Sequence, residues 1–204
     1  MSDPKMTTVT QDGLIQFEWD QDLLKVIEDS LGSLKSESRK VLKNAVNKTA
    51  KQAKIMLAKK AQETYVVKQG RFTKAMKTKN ATVGNPEAVI NITGAQMELK
   101  DFKVSPASYK PQNRPSVTKA KVLLSSGLKP LASSNKAFIA KFKSGHVSVV
   151  QRRTQNRFPL KKLLSNSIPV MIGNQDKVYG VVEPEIYNLL LGNVQAEIRK
   201  VLKT

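Results

Sequence analysis

The side chains best suited to chemistry in this sequence are lysines and arginines, because they outnumber the acids by 19 and fall in two blocks. Residues 33–79 contain fourteen basic and two acidic side chains, and residues 116–163 contain eleven basic side chains and no acid. Such asymmetry indicates contact with nucleic acid or another acidic surface. The candidates for a phosphate- or acid-facing surface are Lys40, Lys43, Lys51, Lys54, Lys141, Lys143, Arg152, Arg153 and Arg157. A solvated surface without a partner is the alternative.

The chain lacks the motifs that mark common enzymes and most of the residue types that bind metals. There is no P-loop, no glycine fingerprint for dinucleotides and no GxSxG motif. The absence of cysteine excludes disulfides and thiolate metal sites, and one histidine cannot supply a multi-histidine site. We interpret His146 as a turn or interface residue, and Glu98 with Asp101 as a solvated pair of carboxylates. The sequence therefore predicts a protein that is not an enzyme and has no cofactor and no metal.

Aromatic residues make up only 5% of the chain, too few for a platform on which bases stack. Contact with nucleic acid would therefore involve the phosphate backbone and would be independent of sequence. The phenylalanines are predicted instead to lie in the core, namely Phe72, Phe102, Phe138, Phe142 and Phe158.

The first 32 residues differ from the rest of the chain, because they carry a net charge of −5. We divide the chain into an N-terminal arm, residues 1–19, and a single domain, residues 20–204. No apolar run approaches the roughly 20 residues that span a bilayer, so no membrane partner is expected. The N-terminus lacks a signal-peptide pattern, and the absence of cysteine is compatible with assembly in a reducing cytoplasm.

Apolar residues at helical spacing predict three main helices. Asp20 is predicted to cap a short helix over residues 21–31, and Ser33 to open the longest helix, which ends near residue 64. The longest helix has lysines opposite an apolar stripe of Leu42, Val46, Ala53 and Leu57. The last helix is predicted to begin at Glu183-Pro184-Glu185, since proline and acids suit a first turn.

The pattern of apolar residues predicts a strand or a hairpin over residues 7–18, and strands over residues 88–92, 99–104 and 117–124. A β-hairpin is predicted within residues 137–153, with its turn at Ser144-Gly145. The resulting fold class is α+β: an antiparallel β-sheet packed by a long N-terminal helix and a C-terminal helix, with an extended N-terminal arm.

The stretch of residues 137–169 contains the most specific order of residues in the chain. The order begins with an aromatic-Ile pair, which is followed by Ser-Gly-His, Val and Arg. After four intervening residues it continues with Arg-Phe-Pro, and it ends with Ser-Ile-Pro. The positions that define this order are Phe138, Gly145, Phe158, Pro159, Ser167 and Pro169. Proline restricts both its own φ and the preceding residue, so these pairs are expected to fix the path of the chain.

This order resembles the minor tail protein Z family of long-tailed bacteriophages. The similarity is close over residues 137–169, looser in the basic and terminal helices, and absent from residues 1–20; residues 173–182 look like an insertion. The resemblance implies a structural virion protein at the head-proximal end of the tail, which completes the tail and joins it to the head.

The resemblance also implies a set of partners. The chain would form a homo-oligomeric ring, with a hexamer the favoured size, between a tail terminator or tail tube protein and head connector proteins. DNA would pass through the lumen without specific contacts, and the ring would assemble in the host bacterial cytoplasm. The alternative function is a free-standing, sequence-independent basic nucleic-acid-binding protein, which has no need of the Arg-Phe-Pro and Ser-Ile-Pro order.

Overall fold

The computed structural model describes residues 14–17, 21–68, 70–112, 116–131 and 135–203. Most of the predicted arm, together with the predicted cap Asp20, lies outside these residues. Within them the fold is α+β, as predicted, with two long helices packed on each other and on small antiparallel sheets. No helix in these ranges is both long and apolar enough to cross a membrane.

The helices of the described chain enclose most of its core. Their bounds are α1 Gln21–Leu31, α2 Ser38–Thr64, α3 Arg71–Ala75, α4 Ile168–Ile172 and α5 Tyr179–Leu202. The long helix α2 packs along α5 and also contacts α1, α3 and the sheet. Its predicted stripe is confirmed, because Leu42, Val46, Ala53 and Leu57 are fully buried.

The start of the long helix was predicted five residues too early. Residues Gly32–Glu37 form a 3-10 helix, and α2 begins only at Ser38. Gly32 has a left-handed φ of +53°, and Leu34 leaves helical geometry at φ −94°, ψ 17°. Glycine and serine both lower the preference for α-helix, since serine hydroxyls compete for backbone groups.

The start of the last helix was predicted four residues too late. α5 begins at Tyr179, so Pro184 lies inside the helix instead of in its first turn. Val178, Tyr179 and Val182 are buried, and the N–H groups of the first two donate to the Asn174 carbonyl oxygen at 3.0 and 2.9 Å. Burial of this apolar segment and its backbone hydrogen bonds outweigh the missing N–H of the proline.

One sheet was predicted, and the described strands form four small ones. The strands are β1 Leu14–Phe17, β2 Met76–Lys79, β3 Ala88–Ile92, β4 Gln96–Glu98, β5 Lys103–Ser105, β6 Lys119–Lys121, β7 Lys129–Pro130, β8 Ala137–Lys141, β9 Val147–Arg152, β10 Leu160–Lys162 and β11 Leu164–Ser167. The orders are β1-β3-β2, β5-β6-β7, β10-β9-β8 and β11-β4, and every pair is antiparallel.

Two predicted strands are shorter than expected. Residues Leu99–Asp101 form a 3-10 turn instead of a strand, because the Leu99 N–H leaves the ladder and donates to the Leu163 carbonyl at 2.9 Å. Leu163 in turn donates to the Val149 carbonyl at 2.9 Å, which joins the hairpin sheet to the β11-β4 pair. The predicted 117–124 strand is regular only over Lys119–Lys121.

Strand β1 lies within the predicted arm. It pairs with the central strand β3, with Ile15 opposite Ile90, and the Ile15 side chain is fully buried. Ile15 therefore belongs to the same core as α2. The boundary of the arm at residue 19 stays a prediction, and residues 1–13 lie outside the described ranges.

Candidate functional site

The predicted hairpin presents its basic residues at two separate ends. Strands β8 and β9 pair from Ala137↔Gln151 to Lys141↔Val147, and Gly145 turns the chain with a φ of +83°. Lys141 and Lys143 lie at this turn, whereas Arg152 ends β9 at the other end. At about 3.4 Å per residue, the five residues between the ends span about 17 Å. The five basic residues predicted around the hairpin therefore belong to two sites.

A cluster of charged groups holds the turn end of the hairpin. The Glu98 carboxylate on β4 lies 2.9 Å from His146 Nε2 and accepts a hydrogen bond from Lys162 Nζ at 2.8 Å. The Phe142 ring stacks on His146, with centroids 6.1 Å apart, and Lys162 Nζ lies 5.8 Å from the same ring centre. The cluster thus joins β4, the hairpin turn and β10, so His146 is a turn residue with a defined partner.

Glu98 is ionised more strongly than an ordinary carboxyl group. Burial by itself raises its pKa, but hydrogen bonds from Lys162, Ser148 and His146, together with the charge of Lys162, outweigh burial. The net effect lowers the pKa of Glu98 from 4.5 to about 2. The predicted solvated pair of Glu98 and Asp101 is wrong, because Asp101 instead pairs with Arg71 at 3.0 Å.

The other end of the hairpin is a loop of residues 152–159, which we call the basic tip. Leu160 pairs with Arg152, and the Arg153 N–H donates to the Pro159 carbonyl at 3.1 Å, so the base of the loop is closed. The Arg157 guanidinium lies 5.7 Å from the centre of the Phe158 ring. The basic tip therefore presents arginines and an aromatic ring on one loop.

Phe158 was predicted to lie in the core, and this prediction is wrong. The residue is 64% exposed, because its loop projects beyond the last β9-β10 pair. Phe72 and Phe102 are buried as predicted, at 1% and 6% exposure, while Phe138 and Phe142 are half-buried. The Phe158 ring therefore lies on the surface of the loop and not in the core.

The second half of the motif lies at a junction between a strand and a helix. Ser167 ends β11, and Pro169 occupies the first turn of α4. A Cβ atom at Gly94 would lie 3.4 Å from Pro169 Cδ and 3.6 Å from Ile168 Cβ, so the chain after β3 passes close to this turn. The Ser-Ile-Pro segment therefore lies where the chain passes from the β11-β4 pair to the helices.

The four candidate lysines of α2 share one side of the helix, which we call the lysine face. Lys40, Lys43, Lys51 and Lys54 fall within an arc of about 80° at 100° per residue. Lys40 and Lys51 are exposed, and Lys43 and Lys54 are half-buried. Lys40 forms an ion pair with Glu37 at 2.9 Å. The lysine face extends about 21 Å along α2 at 1.5 Å per residue.

The structure does not bring the two candidate sets into one site. The lysine face belongs to α2, which packs on α5, α1, α3 and the β1-β3-β2 sheet. The hairpin packs mainly on β10 and the Leu99–Asp101 turn. No group of three or more His, Asp or Glu side chains that could hold a metal occurs in the part of the chain that the structure describes.

Sequence reasoning missed the grooves in the surface. One, with a cavity volume of about 440 Å³, lies between the second half of α2 and residues 70–73. Another lies between the end of α2, residues 123–125 and the start of α5, with a cavity volume of about 250 Å³. Its lining residues are Lys60, Glu63, Thr64, Leu123, Ser125, Asp176, Lys177 and Val181. These residues come from three separate parts of the sequence, and no local pattern joins them.

These observations define the protein as an α+β domain with exposed basic surfaces and a hairpin that carries the sequence motif. The chain belongs to the prophage minor tail protein Z (GPZ) family, whose model matches residues 24–204. The resemblance inferred from residues 137–169 is therefore confirmed. Neither a curated protein nor a solved structure matches the chain. Membership of this family makes the chain a structural protein of a phage tail.

Proposed function

We propose that this protein forms a ring at the head-proximal end of a phage tail, where it completes the tail and joins it to the head. The family match over residues 24–204 is the observation that carries this proposal. Subunits of the ring, a hexamer by preference, contact a tail terminator or tail tube protein on one side and head connector proteins on the other. The protein is non-enzymatic and is incorporated into virions during assembly in the host bacterial cytoplasm.

Deletion of the gene tests the position in the assembly. We expect infected or induced cells to accumulate DNA-filled heads and separate tails, and a plasmid copy to restore joined particles. Normal joined virions without the protein would contradict the joining role. Loss of tails altogether would instead place the protein at an earlier step of tail assembly.

The lysine face supports a DNA channel through the ring. Its four cations are lysines, which act as hydrated point charges and suit backbone phosphate without base recognition. No acid other than Glu37 forms an ion pair with any of the four among the described residues. Such contacts would be weak and numerous, which lets DNA slide.

A matched pair of variants tests the DNA assignment. Changing Lys40, Lys43, Lys51 and Lys54 to Gln should weaken binding to any duplex and reduce the slope of log K against log salt by up to about 3.6, at about 0.9 for each phosphate contact. The control changes four exposed lysines outside α2, namely Lys110, Lys119, Lys129 and Lys136. Equal losses for both variants would show a general effect of charge and would remove the lysine face from the channel.

The alternative function, a free-standing nucleic-acid-binding protein, is favoured by the same lysine face. The two functions differ in where the protein is found. A ring component copurifies with tails through a density gradient in high salt, whereas a free DNA-binding protein is absent from purified virions.

A further inference from the structure

The exposed face of the last helix, α5, carries no charge along its centre. At 100° per residue, all exposed residues of α5 except Lys200 fall within an arc of about 100°. We call these eight residues the α5 face: Val181, Pro184, Glu185, Asn188, Gly192, Gln195, Arg199 and Leu202. Residues 186–196 contain no charged side chain, although 25% of the chain is charged. Depletion of charge at the centre of a surface is typical of protein interfaces.

The exposed charges of α5 are acidic at its beginning and basic at its end. Glu185 lies near the N-terminal end of the α5 face, and Arg199 lies near its C-terminal end, followed by Lys200. Neither Glu185 nor Arg199 forms an ion pair among the described residues. Glu197, the acid nearest to the basic end, is buried and pairs with Lys200. A second copy of α5 in the antiparallel direction would therefore place Glu185 of each copy opposite Arg199 of the other.

Gly192 lies at the midpoint of this arrangement, seven residues from both Glu185 and Arg199. In the part of the chain that the structure describes, no contact requires a glycine here, because a Cβ atom at residue 192 would meet nothing within 4 Å. Gly180 differs, since a Cβ atom there would clash with the Gln175 carbonyl oxygen. Glycine is unfavourable in the interior of a helix, but it lets another backbone approach closely. Gly192 therefore suits the crossing point of two α5 helices.

We propose that the α5 faces of two copies of this chain pack against each other as an antiparallel helix pair that crosses at Gly192. The ion pairs between Glu185 and Arg199 form about 10 Å on either side of the crossing point, at 1.5 Å per residue. Val181 and Leu202 are 43% and 54% exposed, and they lie 11 and 10 residues from Gly192 on opposite sides. Val181 of each copy therefore meets Leu202 of the other, so that both apolar side chains gain a partner.

The α5 pair has two-fold symmetry, because the same surface serves both copies, and it therefore stops at a dimer. A closed ring of more than two copies instead needs two different surfaces on each subunit. The α5 pair thus goes beyond the proposed ring and does not depend on it. One helix from each copy makes a small interface, so we expect a weak dimer whose population rises with protein concentration.

Paired cysteines test the antiparallel register, because the chain contains no cysteine that would interfere. The double variant Asn188→Cys with Gln195→Cys, both at exposed positions, should form on mild oxidation a reducible dimer and no larger species. The two single variants are the controls. In a pair centred on Gly192, the two copies of residue 188 lie about 12 Å apart along the helix and those of residue 195 about 9 Å, too far for a disulfide. Strong cross-linking of a single variant, a ladder of larger species, or no cross-link in the double variant would overturn the pairing.

Sedimentation over a wide range of protein concentration supplies a second measurement. Gly192→Leu should abolish the dimer without lowering the midpoint of urea unfolding, because the added side chain meets nothing in its own chain. Glu185→Lys and Arg199→Glu should each raise the dissociation constant of the dimer at least about tenfold, and the combined variant should recover most of this loss. The control for charge is Glu87→Lys, which lies outside α5. A parent that stays a single chain at every concentration, a dimer that survives Gly192→Leu, or an equal loss in the control would overturn the pairing.

Discussion

Replacing Glu98 with Gln should destabilise the domain at neutral pH by removing the charge that holds the turn end of the hairpin. The pKa of Glu98 is about 2 in the fold, against 4.5 for an ordinary Glu. At about 1.4 kcal/mol per pKa unit, the ionised carboxylate therefore stabilises the folded state by at most about 3 kcal/mol. The Lys162 and His146 side chains are each 47% exposed, so water screens the pairs. We therefore expect Glu98→Gln to lose about 2 kcal/mol at pH 7.

The sign of the pH dependence follows from the lowered pKa. The stabilisation is fully present above about pH 4.5, and it is lost as the pH falls from there toward about 2. The difference between parent and Glu98→Gln in urea unfolding should thus be constant from pH 7 to 5 and fall to roughly half at pH 3. The control is Glu87→Gln, since Glu87 takes part in no described ion pair.

Two results would refute this reasoning. An equal loss at pH 7 and pH 3 would show that Glu98 acts through packing or through hydrogen bonds that Gln cannot make, not through its charge. A loss at pH 7 no larger than that of Glu87→Gln would show that the cluster of Glu98, His146 and Lys162 does not stabilise the fold.

Three further predictions concern stability and are checked by thermal or urea unfolding. Phe158→Ala should change the free energy of unfolding by less than about 0.5 kcal/mol, while Phe72→Ala, at a buried ring, should cost about 3–5 kcal/mol; equal losses would contradict the exposed basic tip. Asn193→Ala should cost about 1–3 kcal/mol, because its buried amide donates to Thr49 Oγ1 at 2.9 Å and to Gln52 between α5 and α2; an unchanged stability would refute that network. Ile15→Ala should cost about 2–5 kcal/mol if β1 packs in its own chain, and a dilute monomer of unchanged stability would instead favour an arm that packs on a neighbour.

The sequence predicted best those elements whose signal is periodic and local. The α2 stripe of Leu42, Val46, Ala53 and Leu57 repeats at helical spacing, and the hairpin has alternating residues with a glycine turn, so both could be placed from sequence. The start of α5 could not, because Pro184 is a local signal that the burial of Val178 and Tyr179 overrides.

The site was predicted only in part, because its geometry depends on distant residues. Glu98 is 48 residues from His146 and 64 from Lys162, and no local pattern joins them. Phe158 was misplaced because an apolar residue type does not reveal whether its loop folds back on the core or projects from it. The two basic blocks can be read directly from the sequence, because they are a property of its composition. The separation of their side chains into the lysine face and the basic tip depends on the fold and could not be predicted.

Electron cryomicroscopy of tails from the phage that carries this gene would locate the protein in the virion. We expect a closed ring of this chain at the head-proximal end of the tail, with the lysine face toward the lumen. Density for the chain along the tail shaft or at the distal end, or tails that lack it altogether, would contradict the proposed role.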